Sequence, residues 1–282
     1  MTILKWLVEN MAKLQEAGVD SPRRDCLVFL EDTLGKERTW VVTNPNHSLS
    51  PAELKTLKGL VQRRLKREPL AYIRSKAWFY GRFFKVTPHV LIPRPESEIF
   101  IEQLKQLVST RQLTAKNIKI IDVGTGSGCL AITAKLEFPE AEVIATDIDK
   151  RSLSLARQNS TIHDTNVAFI TSDLLTSVDV LKIGQKHSKK LIILMVNLPY
   201  VPDKIDTTPE IFFEPHDALF SGEDGLDHYK RFWFEISKLL SYPQYILTES
   251  LKRQHKHMID TARSSGYSLF ETDGLVQCFV KE

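Results

Sequence analysis

The stretch Leu191-Ile192-Ile193-Leu194-Met195-Val196-Asn197-Leu198-Pro199-Tyr200 decides the architecture. Six apolar residues follow one another without polar alternation, the pattern of a strand covered on both faces in a parallel sheet. The run stops abruptly at an amide, a proline and an aromatic. In open α/β sheets ligands bind beyond the carboxyl ends of the strands, so the tetrad from Asn197 to Tyr200 sits where chemistry is expected. Asn197 offers a carbonyl acceptor, and Tyr200 a flat face with a hydroxyl. That set suits a planar NH2 group, an amide or an adenine amine, held by its hydrogens and stacked on a ring. Asn-x-Pro after a strand is also an ordinary turn, so the tetrad needs support from the rest of the chain.

Upstream, Lys119-Ile120-Ile121-Asp122-Val123 is a short apolar strand that runs into Gly124-Thr125-Gly126-Ser127-Gly128, and Leu130, Ala131 and Ile132 begin a helix. Glycines permit a tight strand-to-helix turn and let backbone approach a ligand. Glu142 to Asp147 forms a second strand ending in an acid, placed to accept hydrogen bonds from ribose hydroxyls. A helix with Leu153, Leu155 and Ala156 leads to the strand Val167-Ala168-Phe169-Ile170 and then Ser172-Asp173. The β-α-β-α-β order implies right-handed crossovers and a parallel sheet. A dinucleotide fingerprint requires G-x-G-x-x-G, whereas the spacing here is G-x-G-x-G. With acids at two further strand ends and the tetrad at a fourth, S-adenosylmethionine is the better-fitting cofactor. Asp122 has a structural alternative, orienting the glycine loop, and Asp173 that of capping a turn.

At 282 residues, 42% hydrophobic and 26% charged, the chain is ordinary for a globular protein and has room for a large domain and a small one. A formal charge of +3 implies no general nucleic-acid affinity. Cys26, Cys129 and Cys278 are far apart and form no C-x-x-C, which argues against zinc and against a disulfide framework and fits a reducing cytoplasm. The start reads as a mixed polar helix rather than a signal peptide, and no apolar run reaches membrane length.

Residues 1–74 read as a small helical bundle. Leu4, Leu7, Met11 and Leu14 mark one apolar stripe. Ser21-Pro22 opens a second helix lined by Leu27, Leu30 and Leu34 and stopped by Gly35. Ser50-Pro51-Ala52-Glu53 has capping-box spacing ahead of Leu54, Leu57, Val61 and Leu65. This last helix carries Lys55, Lys58, Arg63, Arg64, Lys66 and Arg67, read as a solvated face in preference to a docking surface for an acidic or RNA-bound partner. Residues 75–97 read as a connector. Trp78 to Val86 is β-prone on both sides of Gly81, which predicts a hairpin. Val90-Leu91-Ile92 extends it, Pro93-Arg94-Pro95 ends it, and Ser97 or Glu96 caps the next helix. Residues 98–282 form the remaining, sheet-bearing domain.

These residues resemble the HemK/PrmC protein-(glutamine-N5) methyltransferases, over nearly the whole chain. The resemblance rests on Glu68-Pro69-Leu70-Ala71-Tyr72-Ile73, on Val90-Leu91-Ile92-Pro93-Arg94-Pro95-Glu96-Ser97-Glu98, on the Asp122–Gly128 loop and Asp147, and on Glu214-Pro215, Ala218-Leu219, Gly222 and Asp224-Gly225-Leu226-Asp227. It implies a class I S-adenosylmethionine-dependent methyltransferase, with a Rossmann-like seven-stranded sheet and an N-terminal helical domain that grips a release factor. The implied reaction is N5-methylation of the glutamine of the GGQ motif. The implied catalytic set is Asn197, Leu198, Pro199 and Tyr200, and the cofactor set Gly124, Thr125, Gly126, Ser127, Gly128, Asp147, Asp173, Leu174 and Asn197; no metal is expected. Leu198 stands where the family usually has proline. The role there belongs to a backbone carbonyl that leucine retains, and Pro199 still biases residue 198 toward extended geometry. Gln277 stands where relatives often carry arginine.

The competing readings are a ribosomal-protein glutamine methyltransferase, favoured less by the Pro93-Arg94-Pro95-Glu96 form, and an adenine-N6 methyltransferase of nucleic acid. The second needs a basic groove near the tetrad, yet Asp203, Asp206, Glu210, Glu214, Asp217, Glu223 and Asp224 crowd the following segment. The expectation is a cytoplasmic, monomeric enzyme acting on release factors, with neither nucleic acid nor membrane as partner.

Overall fold

The computed structural model describes residues 1–176, 190–205, 207–239 and 242–282. The chain divides into two compact units: Met1–Ser75 together with Thr208–Phe213, and Lys76–Thr207 together with Glu214–Glu282.

The first unit is helical: α1 (Ile3–Glu16), α2 (Pro22–Leu34), α3 (Arg38–Thr43), α4 (Pro51–Leu65) and α5 (Leu70–Arg74). Local signals set their ends. Thr2 caps α1, Gly35 closes α2 at φ 61°, and Ser50 and Glu53 form the capping box of α4. At six and five residues, α3 and α5 are too short to show a period, and neither is anticipated by pattern. The buried stripe of α1 is Ile3, Trp6, Asn10 and Leu14, rotated from the expected one, and Leu4 is half exposed. The larger apolar area of Trp6 turns the helix, and Asn10 offsets its burial by donating to the Trp6 carbonyl at 2.8 Å.

The basic face of α4 departs further from expectation. Arg64 is only 7% exposed. Its guanidinium reaches Asp25 on α2 at 2.8 Å and Glu210 at 3.1 Å, and Arg67 grips both Glu210 oxygens at 2.7 Å. Arg63 takes Glu68 through two guanidinium nitrogens. A buried cation is tolerated only with partners, and these carboxylates supply them. Arg64 and Arg67 are therefore internal fasteners that bind residues 208–213 to the helices, whereas Lys55, Lys58, Arg63 and Lys66 are exposed, as the solvated-face reading expects.

The second unit begins with a hairpin, β1 (Lys76–Phe79) paired antiparallel to β2 (Arg82–Lys85) through Tyr80 and Gly81, both at positive φ. Val90–Ile92 does not extend it. Pro95–Glu98 forms a 3-10 turn that runs straight into α6 (Ile99–Thr110), and neither Ser97 nor Glu96 caps that helix.

Seven strands follow: β3 (Ile118–Val123), β4 (Glu142–Asp147), β5 (Ala168–Thr171), β6 (Leu191–Val196), β7 (Tyr245–Glu249), β8 (Tyr267–Asp273) and β9 (Val276–Lys281). Their order is β5-β4-β3-β6-β7-β9-β8, parallel through β7 and antiparallel at β9 and β8. Helices α6 and α7 (Cys129–Glu137) contribute Phe100, Leu104, Leu130 and Ile132 to the core on one face of the sheet. Helix α8 (Lys150–Ile162) links β4 to β5. Helices α9 (Asp227–Ile236) and α10 (His255–Ser264) contribute Phe232, Trp233 and Met258 on the other face. Every residue of β3, and β6 from Ile192 onward, is buried. Among the described residues no helix is long and apolar enough to cross a membrane.

Strand order reverses between β3 and β6, the place where a doubly wound sheet opens a crevice at its carboxyl edge. Register then does the positioning. Val123 pairs with Thr146 on β4 and with Val196 on β6, and Val196 pairs with Thr248 on β7. The next residues, Asp147, Gly124, Asn197 and Glu249, therefore form one row across four neighbouring strands.

Candidate active site

The glycine loop is held from below by Asp122. Its Oδ2 accepts from the Thr125 hydroxyl at 2.6 Å and from the Ala131 amide at 3.2 Å, so this acid orients the loop, its anticipated alternative role. Burial pushes the Asp122 carboxyl up to about 7, against the pull of those two hydrogen bonds and with some repulsion from Asp147. The amides of Gly124 and Thr125 both donate to the Thr146 carbonyl. Gly128 sits at φ 83° against Ala156, where a Cβ would come within 3.0 Å of that side chain. Gly126, at φ 55°, has open space where a Cβ would point. Its amide donates to Asp147 Oδ2 at 2.9 Å, while Asp147 Oδ1 accepts from the Asp149 amide at 2.8 Å. Burial raises the Asp147 carboxyl above its ordinary range.

The tetrad is tied to two residues that the sequence reading does not place in the site. Asn197 Nδ2 donates to Ser97 Oγ at 3.0 Å and to Glu249 Oε2 at 3.3 Å. The Tyr200 hydroxyl donates to Glu249 Oε1 at 2.6 Å. Buried at the end of β7, the Glu249 carboxyl is raised by desolvation, which hydrogen bonds from Ser97 and Tyr200 oppose. Tyr229 on α9 ties the two strand ends together. Its hydroxyl lies 2.9 Å from the Val196 carbonyl and 2.7 Å from that of Glu249, and it accepts from the amides of Leu198 and Glu249. Leu198 is buried, and its side chain packs toward Gly124. Among the described residues no hydrogen bond ends on Asn197 Oδ1 or on the Leu198 carbonyl.

The segment after the tetrad is fastened too. Gln254 Nε2 donates to the carbonyls of Tyr200 and Asp224 at 2.9 and 2.8 Å. Glu214 accepts from the Ile92 amide at 3.0 Å and from Arg94 at 2.5 Å. The two stretches around Arg94 and Glu214 are thus joined by one ion pair. Part of the negative charge after the tetrad is taken up internally, on Glu210 and Glu214, while Asp224 pairs with Lys230 at 2.8 Å on the surface. Asp206 lies outside the described residues.

Residues 5–74 match the family described as PrmC N-terminal domain, and residues 96–208 match the Methyltransferase small domain. A release factor glutamine methyltransferase of Koribacter versatilis is 35% identical, over 82% of this chain and 80% of that protein. Its counterpart in Coxiella burnetii is 32% identical, over 95% of this chain and 92% of that protein. The chain belongs to the release factor glutamine methyltransferase family. It spans about half of the bifunctional methyltransferase of Rickettsia bellii, 51% of that protein at 30% identity, the match covering 94% of this chain. Among solved structures, the human METTL16 catalytic domain bound to an RNA hairpin shares the fold. The TM-score is 0.52 at 12% identity, over 79% of this chain and 89% of that one.

The methyltransferase sheet of this family member brings Gly124, Asp147 and Asn197 into one row, with Leu198 against the glycine loop. It places Asp173 in an ion pair with Arg231 at 2.6 Å, and Leu174 in the apolar cluster beneath β3 and β6. Glu249 and Ser97 escape the sequence reading. Tyr245-Ile246-Leu247-Thr248-Glu249 repeats the Glu142–Asp147 pattern, an apolar run closed by an acid, and that signal points to Glu249.

Proposed function

We propose that this chain methylates the side-chain nitrogen of a glutamine in peptide chain release factors, with S-adenosylmethionine as donor. The observation that carries the reading is the orientation of Asn197. Both Nδ2 hydrogens are consumed by Ser97 and Glu249, so Oδ1 is left to accept from a substrate. The names of the relatives supply the substrate class.

The residues present fit that donor. The open space at Gly126, the backbone approach allowed at Gly124 and the Asp147 carboxylate make a cradle with a hydrogen-bond acceptor for hydroxyls. Gly124 to Gly128 and Asp147 would hold it, and when bound it supplies a methyl group on a sulfonium sulfur. Asp173 and Leu174 are proposed as its further neighbours.

A glutamine nitrogen is a poor nucleophile because its lone pair is delocalised into the carbonyl. Asn197 Oδ1 and the Leu198 carbonyl accept its two hydrogens and fix the nitrogen in line for attack. As positive charge develops on that nitrogen the two acceptors bind more strongly, so their help is concentrated in the transition state. The proton leaves after transfer, when the nitrogen is acidic, and no strong base is needed. Tyr200, its hydroxyl tied to Glu249 and its ring thereby fixed, stacks on the amide plane, with Pro199 stiffening the turn.

The test offers methyl-labelled S-adenosylmethionine with a purified release factor, a ribosomal protein or DNA, and locates the label. Label on a release-factor glutamine supports the reading; label only on ribosomal protein or DNA overturns it.

A further inference from the structure

We infer that Glu249 is a positioning residue whose ionised carboxylate sets which end of the Asn197 amide faces the substrate. The inference rests on the proposed methyl transfer to an amide nitrogen.

The two ends of an asparagine amide have nearly the same shape. Only hydrogen-bond partners decide whether oxygen or NH2 points outward. Were Asn197 turned by half a rotation, it would present a donor to a substrate NH2, and the grip would fail. Ser97 by itself would not prevent this, because a hydroxyl donates or accepts as required, and its proton is directed away from Asn197 only while Glu249 accepts it. An ionised carboxylate can only accept. Glu249 Oε2, 3.3 Å from Asn197 Nδ2, therefore fixes the amide with its NH2 inward. The other oxygen takes the Tyr200 hydroxyl, so one carboxylate orders both side chains of the tetrad.

The surroundings hold this carboxylate in place, although burial opposes its charge. Glu249 is 1% exposed and its backbone amide and carbonyl are both bound to the Tyr229 hydroxyl, so the carboxylate has little freedom to move. The groups facing it are Ser97, Asn197, Tyr200 and Tyr229, with Arg94 favouring and Glu96 opposing its charge. Ser97 belongs to the Pro93–Glu98 connector, which explains why that segment enters the site: it carries the hydroxyl that shares the Asn197 hydrogens.

The experiment is a charge-exchange cycle with four proteins: parent, Glu249→Gln, Asn197→Asp and the double variant. In Glu249→Gln the residue at 249 can donate as readily as accept, so the Asn197 amide is no longer held in one orientation, and turnover of the release-factor substrate should fall about a hundredfold, the loss typical of one misdirected polar contact. S-adenosylhomocysteine affinity, read by calorimetry, should stay within twofold. Asn197→Asp alone sets two carboxylates together and should be as poor. In the double variant, the amide introduced at position 249 donates to one oxygen of the carboxylate introduced at position 197 and leaves the other oxygen to accept from substrate. Turnover should then recover at least tenfold over either single variant. Glu249→Gln within threefold of the parent, or a double variant no better than the two single ones, overturns the inference. If Glu249→Gln no longer binds S-adenosylhomocysteine, the unaltered chain decides. Its turnover should rise with pH through one ionisation above the ordinary glutamate value of 4.5, and a flat profile from about pH 4 to 9 overturns the inference. A parent that methylates nothing sinks the proposed reaction instead, so the two failures are distinguishable.

Discussion

Val123 and Val196 lie opposite each other in adjacent parallel strands, so Gly124 and Asn197 leave the sheet side by side. One stretch would cradle the donor and the other would grip the acceptor. Their proximity follows from backbone pairing, which is stiffer than side-chain contact, and this makes the consequences of single substitutions specific.

Replacing Asn197 by alanine removes the acceptor and leaves the Glu249 carboxylate without one of its donors. Turnover should fall by about 10²–10³. Affinity for S-adenosylhomocysteine should be nearly unchanged in a calorimetric titration. Turnover near the parent's would exclude Asn197 from the reaction.

Gly225 sits at φ 77°, and a Cβ there would lie 2.3 Å from the Tyr200 carbonyl and 2.7 Å from Gln254 Nε2. The backbone conformation alone costs about 1–2 kcal/mol in an L residue. Gly225→Ala must also push the tetrad's last carbonyl off Gln254. Displacements of this kind cost up to about a hundredfold in rate, so turnover should drop at least tenfold and the melting temperature should fall. A variant with parental kinetics would show that the Tyr200–Gln254 contact is dispensable.

Asp122 carries a pH signature in stability. Its folded value, about 7, lies above the ordinary 3.8. Between those values the folded state holds a proton that the unfolded state has lost. Stability therefore decreases as pH rises through that window, by at most about 1.4 kcal/mol per pH unit from this group. Asp122→Asn should flatten that decline, as measured by urea unfolding from about pH 5 to 8, the range that spans the folded value. An unchanged slope would mean that Asp122 is ionised throughout.

Glu210 receives three guanidinium hydrogen bonds from Arg64 and Arg67. Burial acts to raise its carboxyl, yet the Arg67 and Arg64 bonds outweigh that and hold it below its ordinary value. Glu210→Gln leaves Arg64 with Asp25 as its charged partner and with the Glu68 carbonyl, and should cost about 2 kcal/mol, within the span for a partly buried pair. Chymotrypsin should then cut first after Phe212 or Phe213 in limited proteolysis. Equal melting temperatures and cleavage patterns would make the pair ornamental.

The local elements were legible because each depends on residues close in sequence. Ile192 to Val196 had to be covered on both faces, the glycine run had to turn, and Tyr80-Gly81 had to close a hairpin. Asp147 was readable as an acid at a strand end. The stripe read from Leu4, Leu7, Met11 and Leu14 catches the buried Leu14 and the partly buried Leu7 and Met11, but it misses Ile3 and the large apolar area of Trp6.

Pairings between distant segments lay beyond the reach of sequence. Arg64 looks solvated until Glu210, 146 residues away, is brought to it. Ser97 looks like a helix cap until Asn197, 100 residues on, claims its oxygen. Glu249 acquires its place from the register of β6 against β7. The chain alone determined strands β3 to β6, the turns that follow them and the chemistry at their ends, since periodicity and backbone freedom are local properties. Which of those ends stand together was settled only by tertiary structure, because register comes from the fit of the whole sheet with the helices on both its faces.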